Sequence, residues 1–121
     1  MSKPPFDTFN LGLRNGDEPA DALENRRQLS ALLGLPSAPR WLRQVHGTQV
    51  MVLEPGTADG VVADACVSTQ PGLACTIMVA DCLPVLLTDG AGTVVAAAHA
   101  GWRGLAGQGG VGVLEAVFKR F

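Results

Sequence analysis

The pattern of apolar and charged residues near the N-terminus predicts a helix. Asp17 can serve as its N-cap, Pro19 falls in its first turn, and Gly34 follows as a stop signal. The predicted apolar face, opposite the charged residues, consists of Ala22, Leu29, Leu32 and Leu33. We therefore expect a helix that ends at about Leu33.

A second helix is predicted at the other end of the chain. A glycine cluster lies between residues 101 and 112, and apolar residues then recur at helical spacing. These residues are Val111, Leu114, Val117, Phe118 and Phe121. Because such a face must pack against something, we expect this helix to be the surface through which a homo-oligomer would form.

Short apolar runs between the two helices predict strands, since Gly, Pro and Asp separate them. They lie at about 41–46, 49–54, 60–67, 73–80, 83–88 and 93–99. In residues 76–79 and 94–98 both alternating faces carry apolar residues, which is typical of a sheet covered on both faces. The pattern as a whole predicts one layered α/β or α+β domain over residues 1–121.

Composition and charge narrow the class of protein. Apolar residues make up 47% of the 121 residues and charged residues 17%, so the chain should fold rather than stay disordered. The net charge of −2, with scattered basic residues, argues against a nucleic-acid partner. Because neither a signal peptide nor a membrane-spanning run is recognisable, we expect a cytoplasmic protein without a membrane partner.

Candidate chemistry is concentrated in three residues, His46, Cys82 and His99. The chain has only two histidines, and its three cysteines argue against a disulfide framework because their number is odd. Each of the three residues follows an apolar run and is close to a helix breaker, and strand ends are where ligands often collect. Two imidazoles and a thiolate suit zinc or copper. The alternative is that two ordinary histidines and a core cysteine merely occur near turns.

Several motifs resemble those of a known family. Gln44-Val45-His46-Gly47, Asp64-Ala65 with Pro71-Gly72, Ala80-Asp81-Cys82-Leu83-Pro84 and Ala98-His99-Ala100-Gly101-Trp102-Arg103-Gly104 occur in this order. They are similar to the ordered motifs of the polyphenol oxidase (laccase-domain) family, also described as purine nucleoside phosphorylases and, in one bacterial branch, as a peptidoglycan editing factor. The N-terminal Asn10-Leu11-Gly12 and Asn25-Arg26 extend the resemblance along nearly all of the chain.

The resemblance implies a fold, a metal site and an activity. The fold would be a layered α/β/β/α sandwich with mixed sheets, and His46, Cys82 and His99 would bind Zn²⁺ or, alternatively, Cu²⁺. The substrates would be phosphate and a purine nucleoside such as adenosine, inosine or methylthioadenosine, with adenosine deamination as a further activity. A four-copper laccase centre needs about ten histidines, so one copy of this chain with its two cannot build one.

Three further residues are given roles by the resemblance and by their positions. Arg103, with the N-terminal end of the last helix, is a candidate for binding phosphate, or it forms a surface salt bridge. Asp81 orients Cys82 or accepts a proton, or it caps a turn. Trp102 stacks on a purine or, as we favour, fills a gap in the core.

Family members continue well beyond the last helix predicted here. We therefore expect this chain to be a truncated member that lacks the C-terminal portion of the domain. Two other functions stay open: a cysteine hydrolase with Cys82 as nucleophile and His99 as base, and a non-catalytic binding module.

Overall fold

The predicted N-terminal helix is present as α1, Pro19–Leu32, in the computed structural model, which describes all residues from Met1 to Phe121. Gly34 follows it with a φ of +61°, the left-handed conformation that favours glycine at helix ends. The N-cap is Glu18 rather than Asp17. That part of the prediction is wrong because the Asp17 carboxylate is held outside the helix, where it accepts hydrogen bonds from Glu18 N and Asn10 Nδ2.

The apolar face predicted for α1 is only partly correct. Ala22 is the one predicted member that is buried, and Leu32 and Leu33 are exposed. The other buried position is Asn25, whose amide donates a hydrogen bond to Asn10 O at 2.8 Å. The hydrophobic pattern could not predict this buried position, because Asn25 is polar and is held there by a hydrogen bond. Residues 1–38 form one compact unit and residues 39–121 form a second.

The second unit contains one mixed sheet of four strands in the order β1-β2-β4-β3. The strands are β1 Val50–Val52, β2 Ala65–Ser68, β3 Leu83–Thr88 and β4 Val95–Ala100. Strands β1 and β2 are parallel, whereas β4 is antiparallel to both of its neighbours, β2 and β3. Two short helices follow, α2 Trp102–Ala106 and α3 Val113–Phe118. The predicted α/β class with a mixed sheet is confirmed.

Two of the predicted strands do not form. The run at 41–46 is reduced to a single bridge between Arg43 and Val62, and the run at 73–80 has no strand. In the second run, the side-chain amide of Gln44 donates a hydrogen bond to the C=O of Met78 and accepts one from its N–H. At this residue the amide takes the place of a neighbouring strand. A continuous apolar run therefore indicated partial burial here, not sheet pairing.

Strand β4 lies at the centre of the core, and both of its faces are covered as predicted. On one face, alanines of β4, such as Ala98, pack with Val113 and Val117 of α3. On the other face, Ala97 packs in a cluster with Cys66 and Leu53. The strand that ends in His99-Ala100 is therefore fixed from both sides.

The C-terminal prediction missed the short helix α2 and shifted the buried face of the last helix. Only Val117 of the predicted apolar residues is buried, while Phe118 and Phe121 are exposed. Because α3 begins at Val113, its buried face is the pair Val113 and Val117, one turn apart. None of the helices has the length and apolar character that crossing a bilayer requires.

Candidate metal centre

Three side chains from distant parts of the sequence converge at one edge of the sheet. The candidate ligand atoms of His46, Cys82 and His99 all lie within 4.8 Å of one another. Cys82 Sγ is 3.7 Å from His46 Nε2, and the two imidazole rings meet edge to face with centroids 4.9 Å apart. The fold thus brings together the three residues predicted to share a site, while their role as metal ligands stays a prediction.

The pairing of β3 with β4 explains how two of these residues meet. Leu83 pairs with Ala100 and Pro84 pairs with His99. Cys82 directly precedes β3, so its sulfur is placed beside the end of β4 that carries His99. His46 lies outside the sheet, in a turn where its φ is +61°.

A buried carboxylate, Asp64, supports the three residues from behind. Its Oδ1 accepts hydrogen bonds from the backbone N–H groups of Val45 and Gly47, at 3.0 and 2.9 Å. Its Oδ2 accepts from the backbone N–H of His46 at 2.9 Å and bonds Nδ1 of His99 at 2.8 Å. One side chain therefore contacts both histidines of the candidate centre.

The environment of Asp64 also fixes which nitrogen of His99 is available. Burial raises the pKa of Asp64, but the hydrogen bonds from His99 and from three backbone N–H groups outweigh it and hold this pKa below its usual value. The carboxylate is therefore ionised at neutral pH and can only accept hydrogen bonds. It follows that Nδ1 of His99 donates, and that Nε2 is the nitrogen available to a cation.

Asp64 belongs to one of the sequence motifs but is not among the predicted site residues. Besides His99, its partners are backbone groups about 18 residues away, which sequence spacing does not reveal. One signal was present: Asp64 is a charged residue inside the otherwise apolar run at 60–67. A buried carboxylate needs several hydrogen bonds, so a charged residue in this position indicates a structural or functional role.

Asp81 lies beside the sulfur, as its position in the sequence suggested. Its Oδ1 is 3.7 Å from Cys82 Sγ. Partial burial raises the pKa of Cys82, and the charge and hydrogen bond of Asp81 raise it further. In the absence of a cation the Cys82 thiol therefore keeps its proton near neutral pH.

The donor set and its spacing fit a zinc or copper ion. A tetrahedral ion with usual Zn–S and Zn–N bond lengths holds its sulfur and nitrogen ligands about 3.6 Å apart, close to the 3.7 Å between Cys82 Sγ and His46 Nε2. Imidazole and thiolate groups bind both metals, His₂Cys is a known copper set, and three protein ligands leave one position open. The structure and the laccase-like motifs suggest metal binding without identifying the metal.

A cavity of about 450 Å³ adjoins the cluster at His46. Trp102, Arg103 and Gln108 also line it. Trp102 is 75% exposed, so the interpretation that it fills a gap in the core is wrong; it lies at the start of α2, a helix with Gly104 as its one buried residue. The guanidinium carbon of Arg103 lies 5.2 Å from the centre of the Trp102 ring, a cation–π distance.

The N-terminal end of the last helix does not line the cavity, and its predicted contribution to phosphate binding stays a prediction. The backbone N–H of Gly112, at the start of α3, donates to Glu115 Oε2 at 3.1 Å, so a carboxylate occupies that helix end. Arg103 belongs to the preceding helix, α2, and borders the cavity. Its role in binding phosphate stays a prediction that rests on the side chain alone.

Comparisons with known proteins connect this geometry to a family. The family model described as "Multi-copper polyphenol oxidoreductase laccase" matches residues 1–121. Purine nucleoside phosphorylase YfiH of Escherichia coli K12 is 50% identical over 121 residues, which cover 100% of this chain and 48% of that protein. Purine nucleoside phosphorylase PA4543 of Pseudomonas aeruginosa is 53% identical over 116 residues, with 96% and 45% covered.

Solved structures share the fold. Protein NMB0706 of Neisseria meningitidis superposes with a TM-score of 0.83 at 44% identity, covering 99% of this chain and 47% of that chain. YlmD from Geobacillus stearothermophilus superposes with a TM-score of 0.80 at 31% identity, with 88% and 43% covered. This chain spans about half the length of the relatives that it matches. It belongs to the family of laccase-like multi-copper polyphenol oxidoreductases.

Proposed function

We propose that this chain carries the metal-binding part of a purine nucleoside phosphorylase. The observation that supports this most is the position of the His46, Cys82 and His99 cluster beside a cavity that Arg103 also lines. The names of the relatives point to the same reaction. Adenosine, inosine and methylthioadenosine are the proposed nucleosides.

In phosphorolysis, a phosphate oxygen forms a bond to C1′ of the ribose while the bond from C1′ to the purine nitrogen breaks. The purine leaves with the bonding electrons and takes up a proton. The Arg103 guanidinium can bind two phosphate oxygens at once, and it would hold the nucleophile in the cavity. Trp102, exposed beside it, offers a flat surface on which the purine could stack.

The metal would be held by His46 Nε2, Cys82 Sγ and His99 Nε2, with zinc proposed and copper as the alternative. When bound, such an ion supplies Lewis-acid stabilisation of negative charge on a substrate oxygen. Asp81, beside the sulfur, would accept a hydrogen bond or a proton there. Adenosine deamination at the same site is a second proposed activity.

Metal content together with phosphate-dependent cleavage tests the proposal. We expect purified protein to carry one equivalent of zinc or copper, and to release hypoxanthine from inosine only when phosphate is present. His46→Ala should lose the metal, whereas Gln28→Ala, on the exposed surface of α1, should keep it. Cleavage without phosphate, or activity in metal-free protein, would contradict the proposal.

A cysteine hydrolase remains the second candidate, because one observation favours it. Nδ1 of His99 bonds Asp64, and Cys82 lies near the same ring. An acid, a base and a nucleophile in this spatial arrangement resemble a catalytic triad. Alkylation of Cys82 separates the two functions. If metal-free protein is active and iodoacetamide abolishes that activity, the hydrolase is correct.

Self-association through the last helix is a separate proposal, because Phe118 and Phe121 are exposed. If the protein forms oligomers as its concentration rises and shows no turnover, a non-catalytic module is favoured. Sedimentation velocity over a range of concentrations measures this.

A further inference from the structure

We infer that Asp64 is the positioning residue of the candidate metal centre, holding His99 by its side chain and His46 by its backbone. This inference rests on the metal site of the proposed function and names a residue that acts on it without binding the ion. Both Asp64 and His99 are buried, so water competes little for their hydrogen bond.

The first contact fixes the ring of His99. Asp64 Oδ2 lies 2.8 Å from Nδ1, and the ionised carboxylate requires that this nitrogen carry the proton. The bond therefore selects one tautomer and one ring orientation. In that state Nε2 has a free electron pair, which is what a ligand to zinc needs.

The second contact fixes the main chain at His46. This residue has a φ of +61°, which residues other than glycine rarely adopt. The N–H groups of Val45, His46 and Gly47 all donate to the Asp64 carboxylate, and three donors on one anion hold the turn in this conformation. The same turn determines where the imidazole of His46 points.

Asp64 acts through its neighbours because its own oxygens are engaged. Each oxygen already bonds two nitrogen atoms, and the side chain is fully buried. Removing the negative charge while keeping the shape should therefore disturb the two histidines together. It should do so without deleting any ligand of the metal.

Asp64→Asn compared with Asp59→Asn tests the inference. Asp59 is the control, because it is an exposed aspartate of the same unit whose Oδ1 also accepts a backbone N–H, that of Trp41 at 2.8 Å. Affinity for Zn²⁺ is measured by competition with a chromophoric chelator. We expect Asp64→Asn to bind zinc about 10 to 100 times more weakly, and Asp59→Asn to match the unsubstituted protein.

A readout that a merely structural role would not change is the spectrum of the cobalt-loaded protein. We expect Co²⁺ bound to Asp64→Asn to show altered ligand-field bands, because the ring of His99 is no longer held. Equal zinc affinity and identical cobalt spectra in the two variants would overturn the inference and leave the proposed function intact.

A measurement on the unsubstituted protein covers the case in which Asp64→Asn does not fold. Long-range ¹H–¹⁵N spectra report the tautomer of a neutral imidazole, and we expect the proton of His99 on Nδ1. A proton on Nε2 overturns the inference. A protein that has the expected tautomer but binds no zinc overturns the proposed metal centre, and the positioning role with it.

Discussion

Among single residues, Gly101 shows how closely the candidate centre is packed. It directly follows β4, and a Cβ at this position would lie 2.8 Å from Cys82 Sγ and 3.3 Å from His46 Cδ2. Its φ of −77° is accessible to any residue, so backbone conformation does not require glycine here. Space for the sulfur is the reason that a glycine fits.

Gly101→Ala should therefore weaken metal binding rather than unfold the protein. The added methyl group would push the sulfur of Cys82 away from the two histidines, and we expect zinc affinity to fall at least about tenfold, as when a supporting residue of a metal site is lost. Isothermal titration with zinc measures this. Gly90→Ala is the control, because a Cβ there meets nothing within 4 Å. Equal affinity in the two variants would show that the sulfur has room to move.

The sequence identified the candidate ligands but not the group that arranges them. His46, Cys82 and His99 could be recognised because few residue types bind zinc or copper, and because motifs surround them. Asp64 could not be assigned a role in the same way. Besides His99, its partners are backbone N–H groups brought near by folding, and the sequence does not show which groups a buried carboxylate will contact.

Among the elements, the hairpin of β3 and β4 places Cys82 near His99. Asp89 lies between the two strands, and its carboxylate accepts hydrogen bonds from the backbone N–H of Thr93 and of Val94. The Thr93 hydroxyl also donates to it. These bonds lower the pKa of Asp89, and the hydrogen bond from the Thr93 hydroxyl is the largest cause. The ionised carboxylate therefore stabilises the turn.

The sign of the pH dependence follows from that shift. Because the folded state lowers the pKa of Asp89, its stabilising contribution is present above the unfolded value of about 3.9 and is lost as the pH falls through the folded value. We expect Asp89→Asn to be less stable than the unsubstituted protein at pH 7, and the difference to shrink toward pH 2. Urea denaturation at several pH values measures it, with Asp7→Asn as the control. A difference that is constant with pH would contradict this assignment.

The elements themselves were predicted unevenly, for a physical reason. The runs at 83–88 and 93–99 correspond closely to β3 and β4. The strand predicted at 73–80 is absent, because apolar character indicates burial and does not indicate whether a neighbouring strand is present. There the amide of Gln44 bonds the backbone N–H and C=O of Met78, and no local pattern could show that.

For the molecule as a whole, the candidate ligands come from three separated segments of one unit, Pro39–Phe121. An ion that binds all three can do so only when that unit is folded. Metal binding should therefore add to its stability.

We expect zinc to raise the stability of this unit by about 2.7 kcal/mol when free zinc is 100 times its dissociation constant. Thermal unfolding with increasing zinc measures the effect. Cys82→Ser, which removes the sulfur ligand, should lose most of it. Hydrogen exchange should show the added protection around His46 and His99 and not in α1. An equal rise in Cys82→Ser would mean that zinc binds elsewhere.

The small side chains of β4 limit which substitutions this strand can accept. Ala96, Ala97 and Ala98 are almost fully buried between the layers on either face, and His99 follows them in the same strand. A larger side chain there costs about 1–3 kcal/mol through overpacking and would displace the histidine along with the strand. In a saturation-mutagenesis library this segment should be the least permissive of the sheet. Diversity among functional sequences would then have to arise at exposed positions of the sheet, such as Leu86 of β3.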